Sequence, residues 1–171
     1  MTQIKYSRGD FLPKEYLRRR AIEYAQKWAF ARNPKYYNYD KIGGDCTNFI
    51  SQCIFAGSGV MNYTPTYGWY YRSANDKSPS WTGVQFLYNF LTRKNGIGPI
   101  GNVVSKDNIQ EGDIIQLAFR ESHVFEHTLI VTKKEKGNIY VTSHTIDNFN
   151  KNILLYNYIN IRYVHIEKIL I

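Results

Sequence analysis

The segment GGDCTNFISQC places Cys46 directly after two glycines and an aspartate. The apolar residues Phe49, Ile50 and Cys53 recur at helical spacing and predict a helix that begins at Cys46. A thiol at a helix N-terminus feels the positive end of the macrodipole, which can lower its pKa from about 8.5 into a range of roughly 3.5 to 7.5. The pattern therefore predicts a thiolate nucleophile, and the free N–H groups of the first turn are suited to hold an oxyanion.

The second cysteine, Cys53, has a structural interpretation. It lies in the middle of the same predicted helix among apolar residues, where a thiol packs as a small hydrophobe. Seven residues of helix separate it from Cys46 by about 10 Å, whereas a disulfide needs Cα atoms within about 7 Å. We expect no disulfide, and the two cysteines and four histidines lack metal-ligand spacing, so we expect no metal and no other cofactor.

A nucleophilic thiol needs a general base, and His127 is the best candidate. It lies in the strand-like run EHTLIV, whereas His144 ends the next predicted strand, IYVTSHT. A hairpin brings these two imidazoles onto neighbouring strands, where His144 can orient His127 through its second nitrogen. Asp147 and Asn148, just beyond, are alternatives for this third role. Structural roles are the simpler interpretation of the other two histidines.

Several segments together resemble one protein family. These are YAQKWAFARNPKYYNYDKIGGDCTNFISQC, WYY from Trp69 to Tyr71, EGDIIQL, EHTLIVT and SHT. They are similar to the bacterial putative amidase domain, a relative of the CHAP and NlpC-type cell-wall peptidases with a papain-like core. The resemblance runs from about Tyr16 to His165, and its most specific part is GGDCTNFISQC.

The resemblance implies a set of site residues. The family's nucleophile falls on Cys46, its base on His127 and the residue that orients the base on His144. Asp45 matches the acidic residue that precedes the nucleophile and shapes the helix start. With Trp69 and Tyr70, which lie in a long aromatic loop, Asp45 completes the set of candidate substrate-binding residues.

These roles imply a cysteine amide or peptide hydrolase. The thiolate attacks an amide carbonyl, the imidazolium protonates the departing amine, and water hydrolyses the thioester. The resemblance further implies peptidoglycan peptides as the substrate and the cell wall or the extracellular space as the location. A papain-like acyltransferase that uses the same dyad is an alternative, because it differs only in the acceptor that reaches the thioester.

The surrounding periodicity predicts helices first and antiparallel strands afterwards. We predict helices over Asp10 to Asn33, Cys46 to Ala56 and Ser80 to Lys94, the last with Phe86 facing the core, and a long loop over Met61 to Pro79. Strands are expected over Ile114 to Phe119, Phe125 to Thr132, Ile139 to Ser143 and Tyr158 to Ile166. The expected fold is therefore α+β and papain-like (NlpC/CHAP-type), with N-terminal helices packed on an antiparallel sheet formed by the C-terminal half.

Length and charge limit the remaining possibilities. A chain of 171 residues predicts a single domain over residues 1–171, which we expect to be a monomer. No apolar run approaches the roughly 18 residues of a membrane span. The first ten residues have no apolar core of a secretory signal, so either another release route or a longer exported protein is implied. A net charge of +8 favours anionic partners such as wall polymers or nucleic acid, and a non-enzymatic module that binds such a polymer is the second alternative.

Overall fold

The computed structural model describes residues 11–171, and these form an α+β fold around a mostly antiparallel sheet. The predicted α+β class is thus confirmed. In chain order, the elements are β1 (Pro13–Lys14), α1 (Arg18–Trp28), α2 (Cys46–Ser58), β2 (Tyr71–Ser73), β3 (Asp76–Lys77), α3 (Pro79–Thr82), α4 (Val84–Leu91), β4 (Gly98–Val104), β5 (Ile114–Ala118), β6 (His127–Glu135), β7 (Asn138–Ser143), β8 (Asn148–Asn152) and β9 (Asn160–Leu170).

The main sheet has seven strands in the order β1-β9-β5-β6-β7-β8, with β4 also paired to β9. Each of these pairs is antiparallel. Side chains alternate between the two faces of a strand, so neighbouring residues of β6 enter different cores. Ile130 packs with α1 and α2 on what we call the helix face. Leu129 and Val131 pack on the opposite face, which we call the outer face, with Ile115 and Leu117 of β5.

Helix α2 lies at the centre of the helix layer and is buried along almost its whole length. It runs two residues further than Ala56 because Gly57 continues the helix. A Cβ at Gly57 would lie 2.4 Å from the Tyr16 ring, so a glycine is needed here for close packing. Gly59 ends the helix in the left-handed conformation, with φ of 68°, and donates its N–H to the Phe55 carbonyl.

Two of the predicted helices are wrong in their limits. The first begins at Arg18, later than expected, and its predicted start at Asp10 lies outside the described residues. The third is divided at Gly83, whose extended backbone (ψ of 127°) separates α3 from α4. This break turns Phe86 outward, so that it is 58% exposed, although the helical spacing had predicted it in the core.

Candidate active site

Cys46 is the first residue of α2, as the sequence predicted. Its side chain is buried, with 7% of the residue exposed, and its sulfur lies 3.7 Å from the Thr47 hydroxyl. The Thr47 hydroxyl in turn lies 3.0 Å from that of Thr128 on β6. The start of α2 therefore rests against the start of the strand that carries His127.

The sulfur lies near the start of β6 and the end of β7. Their ladder ends at the pair Ile130 and Thr142, so Thr128 has no partner on β7. The backbone of Thr128 and the hydroxyl of Thr145, which follows β7, both act on the Cys46 thiol to lower its pKa. Thr128 belongs to β6 and Thr145 follows β7, so the thiol lies beside residues at the ends of both strands.

Burial nevertheless dominates and raises the pKa of the Cys46 thiol above its ordinary value. The thiolate predicted from the helix position is therefore not the resting form at neutral pH. Desolvation destabilises the buried thiolate by more than the nearby threonine groups stabilise it. Cys46 thus rests as a neutral thiol that must lose its proton when it reacts.

This direction makes a prediction for alkylation by iodoacetamide. Because only the thiolate reacts, the midpoint of the rate against pH at Cys46 is expected above about 8.5, the value of an unperturbed thiol. Mass spectrometry of the Cys46 peptide measures the rate at each pH. Cys53 is fully buried, with its pKa raised further, and serves as the unreactive control in the folded protein. A midpoint below pH 7 at Cys46 would contradict this prediction and support the thiolate expected from the helix position.

His127 lies on the outer face at the first position of β6, with its Nε2 3.3 Å from the Ser143 hydroxyl. Burial, with a smaller contribution from the charge of Lys151, lowers the pKa of His127 to about 4. The imidazole is therefore neutral at pH 7. If Nε2 carries the ring proton and donates it to Ser143, Nδ1 is left with a free lone pair, as a general base requires.

Ser143 is part of a polar cluster behind the imidazole. Asn148 Nδ2 donates to the Ser143 hydroxyl at 2.8 Å and lies 2.9 Å from the Tyr156 hydroxyl. Of the two alternatives for the third residue, Asn148 therefore reaches His127 through Ser143. Asp147 points elsewhere and forms an ion pair with Arg32 at 2.8 Å.

The prediction that His144 orients His127 is wrong. His144 lies one position after Ser143, so alternation directs it to the helix face, where it stacks on Phe49 with ring centroids 3.7 Å apart. Its Nδ1 lies 2.7 Å from Asp45 Oδ2 and its Nε2 lies 2.8 Å from the Trp28 carbonyl. Both ring nitrogens of His144 therefore face hydrogen-bond acceptors, and the ring is held between the segment before α2 and the end of α1.

Asp45 holds this histidine and does not face a substrate cleft. Its carboxylate is 1% exposed and accepts hydrogen bonds from the Tyr39 N–H at 2.9 Å and the Asn48 side chain at 2.8 Å. It makes no side-chain cap bond to the backbone of α2. Through these hydrogen bonds, Asp45 holds in place the segment that leads into Cys46.

The predicted aromatic wall is also corrected in part. Trp69 is fully buried, donates its indole N–H to Ser51 at 3.0 Å and packs in the helix-face core, so it cannot line a cleft. A long loop suggested exposure, and Tyr63 and Tyr67 of this loop are exposed, but Trp69 turns inward. Tyr70 is half-buried and its ring lies 5.4 Å from that of Tyr63, with Arg72 over both rings. A substrate-binding role for Tyr70 stays a prediction.

Ser143 and Thr145 were not predicted as site residues, because neither residue type indicates a functional site by itself. The β6–β7 register would have indicated Ser143, since pairing of Ile130 with Thr142 puts Ser143 beside Leu129 on the outer face.

Within residues 11–171 no cluster of three or more His, Cys, Asp or Glu side chains is arranged to hold a metal ion. No helix in the same range is long and apolar enough to cross a bilayer.

The chain belongs to the family described as "Putative amidase domain", whose sequence model matches residues 15–166. It is 36% identical over 137 residues to "Uncharacterized protein YhbB" of Bacillus subtilis (strain 168), which covers 78% of this chain and 42% of that protein. It is 27% identical over 139 residues to "Uncharacterized protein YjcM" of the same organism, with 76% and 31% covered. The chain therefore spans less than half of these curated relatives, and no solved structure matches it.

Proposed function

We propose that this chain is a papain-like cysteine amide hydrolase, with Cys46 as nucleophile and His127 as general acid and base. The observation that carries the proposal is the position of the Cys46 thiol. It lies at the start of a buried helix and beside Thr128, the residue that follows His127 on β6. Membership of an amidase family supports hydrolysis of an amide bond as the reaction.

The raised pKa of Cys46 and the lowered pKa of His127 favour a neutral resting pair. In acylation, the sulfur forms a bond to the substrate carbonyl carbon while its proton passes to His127 Nδ1. The amide C–N bond then breaks, and the same proton goes to the departing amine. A water molecule then adds to the thioester carbonyl and gives one proton to His127. The C–S bond breaks, the carboxylic acid leaves, and His127 returns the proton to the Cys46 sulfur.

The first turn of α2 supplies donors for the oxyanion. Phe49 is the first residue of the helix whose N–H has an intrahelical partner, the Asp45 carbonyl at 2.9 Å. The N–H groups of Cys46, Thr47 and Asn48 precede it and are free of such partners by helix geometry. They point toward the N-terminal end, where a carbonyl oxygen attacked by Cys46 becomes negative.

The proposed substrates are the peptide amides of peptidoglycan. A net charge of +8 draws the protein to a wall that carries anionic polymers, which supports action outside the cell or in the cell wall. The same charge is the observation that favours the second candidate, a module that binds an anionic polymer without hydrolysis. An acyltransferase is the third, because the same thioester can pass its acyl group to an amine.

The test is to trap the thioester. The protein is incubated with peptidoglycan peptides and quenched in acid, and the peptide that contains Cys46 is weighed by mass spectrometry. A hydrolase gives an acyl adduct on Cys46 together with free amine and carboxylic acid, and Cys53→Ala gives the same adduct. An adduct whose acyl group ends on an added amine identifies a transferase. No adduct and no amine from any wall peptide would contradict both enzymatic proposals and favour the binding module.

A further inference from the structure

A pocket of about 320 Å³ opens beside His127 on the outer face. We call it the His127 pocket; its lining includes Phe119, His127, Thr145, Ile146, Lys151 and Tyr156. Thr145 joins the pocket to the nucleophile, because its hydroxyl accepts from the Asp45 N–H at 3.1 Å and acts on the Cys46 thiol. A group bound here therefore lies next to the proposed dyad.

Lys151 gives this pocket an uncompensated positive charge. Its Nζ lies 4.1 Å from the centre of the Tyr156 ring, which holds the half-buried ammonium by a cation–π contact. The lysines of residues 11–171 that form ion pairs are Lys133 and Lys168, so Lys151 has no carboxylate partner there.

The one carboxylate of the pocket lining is already neutralised. Glu126 forms an ion pair with Arg120, and it also accepts from the Phe119 and Arg120 backbone N–H groups. Arg120 keeps the pKa of Glu126 below its usual range, so this pair stays intact at neutral pH. The charge that a ligand meets in the His127 pocket is therefore that of Lys151.

We propose that the His127 pocket binds a carboxylate of the substrate through Lys151, so that the enzyme prefers peptides with a free acidic group beside the amide it cleaves. Phe119 and Ile146 form apolar walls that contact the aliphatic part of such a residue. An ammonium partly removed from water gains more from a charged partner than an exposed one does. This inference rests on the proposed function, since it names the substrate class of the same site.

The test compares two synthetic peptide libraries as substrates. One carries Asp or Glu at the positions that flank each amide, and the other carries Asn or Gln at the same positions. For the wild type we expect kcat/KM for carboxylate peptides to exceed that for their carboxamide twins by roughly 10- to 100-fold. Lys151→Met is expected to remove this preference, and Lys151→Arg to keep most of it. Lys94→Met, an equal charge change at an exposed site, is the matched control.

An equal rate on both libraries in the wild type would overturn the proposal. A preference that survives in Lys151→Met would overturn it as well and leave Lys151 with a purely structural contact to Tyr156. A second measurement does not depend on catalysis. The capped tripeptides acetyl-Ala-Glu-Ala-amide and acetyl-Ala-Gln-Ala-amide are titrated into the Cys46→Ala variant and followed by NMR. Tighter binding of the glutamyl peptide, lost with Lys151→Met, supports the pocket even if no amide is cleaved; equal binding refutes it.

Discussion

Substitution of Cys46 by alanine is expected to abolish amide hydrolysis, with a loss on the order of 10⁶-fold in kcat, as for removal of a nucleophile from a protease triad. His127→Ala is expected to cost roughly 10²- to 10⁴-fold or more, because the buried thiol then has no base to take its proton. Both rates are measured as amine released from the peptide identified by thioester trapping. Neither change should unfold the protein, which circular dichroism and thermal melting check.

The double variant distinguishes a dyad from two independent residues. If Cys46 and His127 act as a unit, Cys46→Ala combined with His127→Ala is no slower than Cys46→Ala alone. Ser143→Ala gives the graded case: the imidazole loses its partner at Nε2, and kcat is expected to fall by about 10- to 100-fold while KM changes little. Full activity in His127→Ala would refute its role as the base and indicate that another group near Cys46 accepts the proton.

The sequence was informative about these two residues for physical reasons. Glycines and an apolar helical stripe mark the start of α2, and a polar residue among apolar neighbours marks His127 as unusual. These are local signals, which one segment carries by itself. The order of helices before strands indicated the α+β class, because this order is visible along the chain without any tertiary contact.

The rest depends on relations between segments. His144 and His127 do lie on adjacent parts of the sheet, but the alternation of side chains places them on opposite faces, and only the strand register decides this. The pKa of Cys46 depends on how deeply α2 is buried, which helix position does not reveal. Trp69 likewise enters the core because Ser51 and the Trp81 ring receive it, although its segment is a loop.

The buried Asp45 carboxylate has several polar partners next to the candidate active site. Its removal is therefore expected to have the largest effect on stability. It ties together the start of α2, the end of α1 and the end of β7. Oδ2 lies 2.7 Å from His144 Nδ1, Oδ1 accepts from Tyr39 and Asn48, and Arg32 Nε lies 3.6 Å from Oδ2. No other carboxylate reaches His144 within residues 11–171.

Asp45→Ala is therefore expected to lower the free energy of unfolding by about 3 to 5 kcal/mol, because it leaves His144 Nδ1, the Tyr39 N–H and the Asn48 amide buried without their partner. Urea unfolding followed by tryptophan fluorescence measures the change. Asp147→Ala is the matched control. It removes a carboxylate from the same Arg32, but this ion pair is partly exposed, so we expect a loss of no more than about 1 kcal/mol.

The same variant separates a structural role from a catalytic one. Because Asp45 faces His144 and not His127, Asp45→Ala protein that remains folded at low temperature is expected to keep a reactive Cys46, although its turnover falls as the start of α2 loosens. A selective loss of hydrolysis with unchanged stability would instead mean that Asp45 acts on the substrate, as the sequence had suggested. The free energy of unfolding and the turnover, measured on one preparation, decide between these outcomes. If the role of Asp45 is structural, its loss must lower the free energy of unfolding.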